Sequence, residues 1–246
     1  MHDRLRVTDA VRAYGPGTGV LGATLRVEPG LVHALVGLNG AGKTTLMRAV
    51  LAMVRLDSGS VEIGGVPVER LHAAAWGRVG HLLDRPFAYP ELRVRANLEV
   101  AARLRGLTAA AVPGAVDAAI ADMGIGGYER VRAARLSKGN RQRLGLAAAL
   151  VADPDLVVLD EPTDALDPAG VIALRETLRR RAARGAGVLV SSHHLDEVAR
   201  IAGRISVMNR GRIIGMLDPA GAELERAFFD LVLRDDERGG TKGPRP

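Results

Sequence analysis

Short apolar runs alternate with longer segments rich in Ala and Leu, and this order predicts an α/β fold. Strand-like runs dominate up to about Leu83, and they return from Leu156, where they alternate with helical segments after Pro168 and Leu195. The predicted strands are Leu5–Thr8, Val20–Val27, Leu31–Val36, Ser60–Ile63, Val79–Leu83, Leu156–Leu159, Gly187–Ser191, Arg204–Met208 and Ile213–Leu217. Such alternation favours a mostly parallel sheet covered by helices.

The middle of the chain predicts an inserted helical subdomain over about residues 86–152. Ala, Leu and Arg dominate three segments there, and Gly or Pro separates them. We therefore expect one domain over residues 1–233. The tail, residues 234–246, is rich in charge, Gly and Pro, and we expect it to be disordered.

The charge balance raises the question of a nucleic-acid partner. The chain has 34 Lys and Arg against 28 Asp and Glu, a net charge of +6. The one dense cluster, Arg179 to Arg181 with Arg184, closes a predicted helix, where cations are favoured in any case. One Trp, three Tyr and three Phe leave little for base stacking. We therefore expect a solvated basic surface and no nucleic-acid partner.

Two features that the sequence lacks, cysteines and long apolar segments, exclude several classes of protein. The sequence has no cysteine, which excludes disulfides and thiolate metal sites. Its N-terminus lacks the apolar core of a signal peptide, and no apolar run approaches the roughly 18 residues that span a bilayer. Any membrane role is therefore expected to act through a partner.

A glycine-rich loop carries the strongest chemical signal. It reads Gly37-Leu38-Asn39-Gly40-Ala41-Gly42-Lys43-Thr44-Thr45, follows an apolar strand and precedes a helix predicted over Leu46–Ala52. This matches the G-x-x-x-x-G-K-[ST] phosphate-binding pattern in its required context. Lys43 can reach the outer phosphates of a nucleotide, and the Thr44 hydroxyl can bind Mg²⁺. A turn that merely closes a βα unit would give Lys43 and Thr44 no purpose.

Two carboxylates end a later apolar strand. Asp160 and Glu161 follow Leu156–Leu159, and the carboxyl ends of parallel strands are where such sheets bind ligands. Asp160 can hold Mg²⁺ opposite Thr44, and Glu161 can activate a water for attack on the γ-phosphate. The alternative is that the two acids have no catalytic role and simply lie where the strand reaches the solvent.

Two more segments complete a recognisable set. Ser137-Lys138-Gly139 precedes a helix and offers a second anion site, and the pair His193 and His194 follows an apolar strand and two serines. Together with the phosphate loop and the paired carboxylates, in this order, they resemble the ATP-binding domain of ABC transporters. The resemblance extends from about Leu5 to Leu217.

This resemblance implies a fold and a set of roles. The fold is a P-loop ATPase core with a mostly parallel sheet, an antiparallel β side-sheet and an inserted helical subdomain. Tyr14 would stack on adenine, unless it is a strand-end tyrosine that packs on the core. His193, rather than His194, would contact the γ-phosphate of ATP. Two copies would dimerise head to tail, so that Ser137 and Gly139 of one chain meet the γ-phosphate bound by Lys43 of the other.

The sequence departs from the family pattern at two places. Lys138 and Asn140 replace a glycine and a glutamine of the usual Leu-Ser-Gly-Gly-Gln loop, although Ser137 and Gly139, the two contacting positions, are kept. Asp84 stands where the family has a Gln that links Mg²⁺ to the membrane partner. Related exporters often have Glu there, and Asp84, which is one methylene shorter, would replace that side chain as a ligand of Mg²⁺.

The resemblance also implies partners and a location. We expect an ATP-hydrolysing exporter subunit in the cytoplasm, bound to the inner face of the cell membrane through transmembrane permease subunits. Phe87 and Tyr89 would line the groove for the permease, or else serve the local core. A rival is a soluble ABC ATPase acting on nucleic acid or the ribosome, but it would need a second ATP-binding half or a long coiled coil. A metabolic kinase would not explain Ser137, Gly139 and His193.

Overall fold

Two β-sheets form the framework of the computed structural model, which describes residues 2–15, 17–84, 86, 88–221 and 223–240. The described strands are β1 (Leu5–Gly15), β2 (Thr18–Val27), β3 (Val32–Val36), β4 (Ser58–Ile63), β5 (Val66–Pro67), β6 (Val79–Leu82), β7 (Leu156–Leu159), β8 (Gly187–Ser192), β9 (Arg204–Asn209) and β10 (Arg212–Leu217). The described α-helices are α1 (Lys43–Val50), α2 (Ala73–Gly77), α3 (Val94–Leu104), α4 (Val112–Asp122), α5 (Lys138–Leu150), α6 (Pro168–Ala183), α7 (Leu195–Ala199) and α8 (Leu224–Gly240).

The two sheets differ in strand direction, as predicted. The larger sheet has the order β10-β9-β3-β8-β7-β6, in which every neighbouring pair is parallel except β9 with β10. The smaller sheet, β2-β1-β4-β5, is antiparallel. Helices α3, α4 and α5 lie between β6 and β7 in the chain. The predicted mixed α/β fold class is therefore confirmed.

The parallel strands bring distant parts of the sequence to one edge. In β3, β7 and β8 every residue is buried, which explains their nearly continuous apolar sequences. Because β8 pairs in parallel with both β3 and β7, the carboxyl ends of all three strands lie side by side. The segments that follow Val36, Leu159 and Ser192 therefore meet at this edge.

Two apolar cores lie on opposite faces of the larger sheet. Successive residues of β7 alternate between them, Val157 and Leu159 joining one core and Leu156 and Val158 the other. The first core contains buried residues of the helices, among them Leu98, Val116, Leu146 and Leu174. The second joins the larger sheet to the smaller one through residues such as Leu5, Val7, Leu46 and Met47.

Helix α1 begins at Lys43, three residues before its predicted start, and α5 begins at Lys138, directly after Ser137. The Ser137 side chain accepts a hydrogen bond from Asn140 N, so it is the N-cap of α5. Gly42 precedes α1 with φ of 105°, a left-handed conformation that glycine adopts without strain.

The first strand is longer than predicted because it contains a bulge. It was expected to end at Thr8, but β1 continues to Gly15. Asp9 has a φ of 45°, its N–H donates to Thr24 Oγ1 and its carboxylate accepts from the same hydroxyl, both at 2.9 Å. The register shifts there and pairing with β2 then resumes, which carries the strand on to Tyr14.

The expected disordered tail is wrong for residues 234–240, which belong to α8. Leu224, Phe228, Leu231 and Val232 repeat at helical spacing, and Phe228 and Val232 are buried against the first core. The far part of the helix is held by side-chain bonds: Asn209 Nδ2 donates to carboxylates on residues 235 and 236, each at 2.9 Å. Residues 241–246 of the predicted tail lie outside the described residues.

Three of the four arginines in the cluster at the end of α6 pair with acids. Arg180 and Arg181 both reach Asp122, at 2.6 and 3.2 Å, and Arg184 reaches Asp153 at 3.3 Å. These pairs join α6 to the end of α4 and to the turn that follows α5. None of the helices in the described part of the chain combines the length and apolar character needed to cross a membrane.

One buried histidine, His33 in β3, joins the two sheets. Its Nδ1 lies 2.7 Å from the Arg26 carbonyl oxygen, which can only accept, so Nδ1 carries the hydrogen. Its Nε2 lies 2.9 Å from Ser206 Oγ, whose hydroxyl can then donate to it. Burial lowers the pKa of His33 below its ordinary value of 6.5, because the charged ring would lose its hydration.

We predict that His33 makes folding less stable in mild acid. Below pH 6.5 the unfolded chain binds a proton that the folded chain does not, so the free energy of unfolding falls as the pH falls. In denaturant unfolding experiments between pH 7.5 and 5, the free energy of unfolding should fall with pH more steeply than it does in His33→Gln. The difference in slope should be at most about 1.4 kcal/mol per pH unit. Equal slopes in the two proteins would contradict this prediction.

Candidate functional site

The glycine-rich loop after β3 is closely packed against its neighbours. A Cβ on Gly37 would lie 2.3 Å from the Met208 carbonyl oxygen, and one on Gly42 would lie 2.5 Å from that of Gly19. No side chain fits at these distances, so the loop needs glycine at both positions. Its backbone thereby follows the tight path that leads directly into α1.

Lys43 is buried at the start of α1 and is already held in place. Its side chain is 7% exposed, and its Nζ donates to the Gly37 carbonyl at 2.7 Å and to the Leu38 carbonyl at 3.4 Å. Glu161 Oε1 lies 3.6 Å from the same nitrogen. The ammonium group therefore stands within the loop, surrounded by oxygens that an anion such as a phosphate could replace.

Thr44 and Asp160 meet although 116 residues separate them. Thr44 Oγ1 donates to Asp160 Oδ2 at 2.6 Å, and Ser191 Oγ donates to Asp160 Oδ1. A hydroxyl and a carboxylate at one place are oxygen ligands of the kind that Mg²⁺ prefers. These two residues fit a magnesium site beside the phosphate loop.

Glu161 lies at the centre of the site. Its Oε1 faces Lys43, and its Oε2 accepts from the backbone N–H of His193 at 3.2 Å and lies 2.9 Å from His193 Nδ1. Its own N–H donates to Ser191 Oγ at 2.9 Å. The backbone of Glu161 has a φ of 44°, a conformation that costs a non-glycine residue free energy and that the surrounding bonds maintain.

Two supporting residues were not identified as site residues from the sequence. Ser191 links the two carboxylates, because its hydroxyl donates to Asp160 and accepts from the Glu161 N–H. Gln142, buried in α5, donates from Nε2 to the Pro162 carbonyl at 3.0 Å. A polar residue at the end of the fully buried strand β8 was the available signal for Ser191.

Ser137 and Gly139 do not join Lys43 within one chain. The exposed Ser137 hydroxyl caps α5, and a Cβ on Gly139 would lie 2.7 Å from the carbonyl oxygen of Ala165. Gly139 therefore allows α5 to approach the loop that follows Glu161. Ala165 has a φ of 67°, so this loop is also in a strained conformation.

Tyr14 projects from the end of β1 with 54% of its surface exposed. The alternative of a tyrosine packed on the core is therefore wrong. The Arg12 guanidinium lies 5.0 Å from the centre of the ring, and it also pairs with Asp57 at 2.9 Å. An exposed aromatic face of this kind can stack on a planar base.

Comparisons with known proteins agree with this geometry. The family described as ABC transporter matches residues 20–164. This chain belongs to that family. The daunorubicin resistance ATP-binding protein DrrA3 of Streptomyces coeruleorubidus is 36% identical over 94% of this chain and 74% of its own length. The lantibiotic transport ATP-binding protein SrtF of Streptococcus pyogenes is 31% identical over 95% of this chain and all of its own length.

A solved structure agrees as well. The ATP-binding subunit of an ABC transporter superimposes with a TM-score of 0.82 at 26% identity, covering 97% of this chain and 99% of that one. The protein is thus an ATP-binding ABC subunit and an ATPase. The sequence resemblance to the family is confirmed.

In this ABC ATPase, Asp84 is paired with a cation. Arg48 Nη2 donates to both carboxylate oxygens of Asp84, at 2.9 and 2.8 Å, and both side chains are largely exposed. Asp84 does line the same cleft of about 600 Å³ as Asp160 and Glu161. It is therefore near the carboxylates, but Thr44 is not among its hydrogen-bond partners, so its predicted role as a metal ligand stays a prediction.

The loop after Glu161 is tied to α5 and α6. Asp167 is the N-cap of α6, where it accepts from Gly170 N at 3.0 Å, and it also pairs with Arg143. The Arg143 guanidinium, together with the Gly170 N–H, lowers the pKa of the Asp167 carboxyl. Because of these bonds, a displacement of the loop would be transmitted to both α5 and α6.

An apolar groove of about 760 Å³ opens beside α3. Its lining includes Met53, Trp76, Leu83, Tyr89, Leu104 and Arg105. The buried Asn97 fixes the backbone of Tyr89 with two hydrogen bonds, at 2.7 and 3.1 Å. Phe87, the other aromatic predicted in this segment, lies outside the described residues.

Proposed function

We propose that this ABC ATPase powers an exporter, with separate transmembrane permease subunits and a second copy of the same chain. The observation that carries the proposal is the position of Glu161, held between Lys43 on one side and His193 on the other and next to Asp160. A carboxylate beside the phosphate site of a P-loop can activate a water molecule for attack, whereas a protein that only binds a nucleotide needs no such carboxylate.

ATP would bind with its β- and γ-phosphates in the loop Gly37–Thr45 and its adenine on Tyr14. Lys43 would exchange the carbonyls of Gly37 and Leu38 for phosphate oxygens. Thr44 and Asp160 would hold Mg²⁺, with Asp84 joining them if it leaves Arg48. Bound Mg²⁺ neutralises the charge that develops on the phosphate oxygens during transfer.

Glu161 would be the general base, because its Oε2 is available once the His193 contacts rearrange. It would accept a proton from the water that attacks the γ-phosphate in line. His193 would then contact the γ-phosphate, and Ser191 would keep both carboxylates oriented.

A second copy would complete each site. Gly139 lies against its own chain's Ala165 loop, and the Ser137 hydroxyl caps α5, so neither residue contacts its own Lys43. The exposed Ser137 hydroxyl at the start of α5 suits a γ-phosphate supplied from another molecule. Head-to-tail pairing of two chains satisfies this requirement at both sites at once.

The direction of transport is proposed from the relatives. DrrA3 is named for daunorubicin resistance and SrtF for lantibiotic transport. We extend export to this chain and place it in the cytoplasm, on the inner face of the membrane that contains its permease. The cargo would be recognised by the permease.

The groove beside α3 would receive a short helix of the permease. Its lining is mostly apolar, and Arg105 within it donates to the Val79 carbonyl. No carboxylate of the described residues lies within 4 Å of the Arg105 guanidinium. Burial lowers the pKa of Arg105, so an acidic side chain on the docking helix would relieve the cost of this cation.

We predict that Glu161→Gln abolishes turnover while ATP binding survives. The amide cannot accept the proton, so kcat should fall on the order of 100- to 10,000-fold. Steady-state ATPase assays and calorimetric titration with ATP measure the two quantities. Glu176→Gln, an exposed change on α6, is the matched control and should keep full activity. Undiminished turnover in Glu161→Gln would remove Glu161 as the base.

We also predict that Tyr89→Asp weakens attachment to the permease. A charge placed in an apolar docking contact costs on the order of a few kcal/mol. The control is Tyr128→Asp, since the exposed fractions of the two tyrosines are similar, 37% and 41%. In cells that co-express the cognate permease, the membrane-bound fraction should fall only for Tyr89→Asp, with melting temperatures measured in parallel. Equal membrane-bound fractions would refute docking at this groove.

A further inference from the structure

Three side chains capable of binding a metal meet beside the catalytic carboxylate. Asp164, His193 and His194 each offer one ligand atom, and these atoms all lie within 4.8 Å of one another. Asp164 belongs to the loop after β7, and the histidines follow β8. The two imidazole rings are 3.9 Å apart, centre to centre, and all three residues are exposed to solvent.

The type of ligand distinguishes this cluster from the magnesium site. Two imidazoles and one carboxylate suit divalent transition ions such as Zn²⁺, Co²⁺ or Ni²⁺, whereas Mg²⁺ prefers oxygen ligands alone. Thr44 and Asp160 supply only oxygens. The two sites would therefore select different ions.

Glu161 supplies the support that a metal-binding histidine usually has. Its Oε2 lies 2.9 Å from His193 Nδ1. Because a carboxylate only accepts, Nδ1 carries the hydrogen and the Nε2 lone pair is left for a metal. A carboxylate bonded to the second ring nitrogen in this way fixes the ring and makes the other nitrogen a better ligand.

Only a small closure separates the cluster from a coordination site. Ligand atoms lie about 2.0–2.2 Å from Zn²⁺ in a tetrahedral arrangement, so two of them on one ion are about 3.3–3.6 Å apart. The present separations of up to 4.8 Å exceed this spacing by about 1.2–1.5 Å. Exposed side chains can make such an adjustment by rotation about their χ angles.

We propose that Asp164, His193 and His194 form a regulatory site for a divalent transition ion such as Zn²⁺. The inhibitory consequence rests on the proposed function. An ion bound there would keep His193 from the γ-phosphate. It would also hold the loop that contains Asp164 close to His193. Metal and productive ATP binding would then oppose each other, each weakening the other by the same factor.

The binding test uses the chain without an oligohistidine tag. Co²⁺ is titrated while its visible absorption is followed, and Zn²⁺ is then added in competition. We expect one ion per chain, with affinity at least tenfold weaker in His194→Ala and in Asp164→Asn. His2→Ala, which removes an exposed histidine outside the cluster, is the control and should bind like the unaltered chain. Equal affinity in all four proteins would mean adventitious binding only and would overturn the site.

The functional test measures ATP hydrolysis at saturating Mg²⁺ with buffered free Zn²⁺. The unaltered chain and His2→Ala should be inhibited, and a chelator should restore their activity. His194→Ala should need at least tenfold more Zn²⁺ for the same inhibition. If Co²⁺ binds at the cluster but Zn²⁺ inhibits His194→Ala equally, the regulatory proposal is wrong. If the chain hydrolyses no ATP at all, the proposed function fails while the Co²⁺ titration still decides the site.

Discussion

The parallel pairing of β3, β8 and β7 is the constraint on which the rest of the structure depends. It places the ends of three strands side by side, so that Lys43, Glu161 and His193 meet although the sequence separates them widely. A slip of one residue in either pairing would turn the buried side chains of the shifted strand to the opposite face and would displace the segment that follows the strand. All three strands are fully buried and almost entirely apolar, so a slip would also disturb the packing of both cores.

The charged groups of the site satisfy one another. Lys43 is held by the loop carbonyls and Glu161, and Glu161 is held in turn by His193. ATP would have to replace several of these bonds, so we expect its binding to be coupled to movement of Glu161 and His193. The same arrangement explains why a metal on His193 would affect hydrolysis, since one side chain belongs to both networks.

The site features that lie within single segments could be predicted from the sequence, because each depends on a short pattern. The phosphate loop, the carboxylates after β7 and the histidine after β8 all follow apolar strands, and strand ends converge in a parallel sheet. The pairing of Asp84 with Arg48 and the bridging role of Ser191 depend on contacts between distant segments, which no local pattern reveals. Helix α8 was missed because its charged end resembles a disordered tail, and bonds from Asn209 outweigh that composition.

We infer that two chains complete each other's ATP sites. The most direct measurement is the mass of Glu161→Gln in solution, by light scattering, with and without ATP and Mg²⁺. Because hydrolysis is blocked, the account predicts a mass near twice 25.9 kDa with ATP and a single-chain mass without it. The same variant with Ser137→Arg added should stay at the single-chain mass, since the arginine would occupy the space of the γ-phosphate. A Glu161→Gln protein that binds ATP and keeps the single-chain mass would contradict the account.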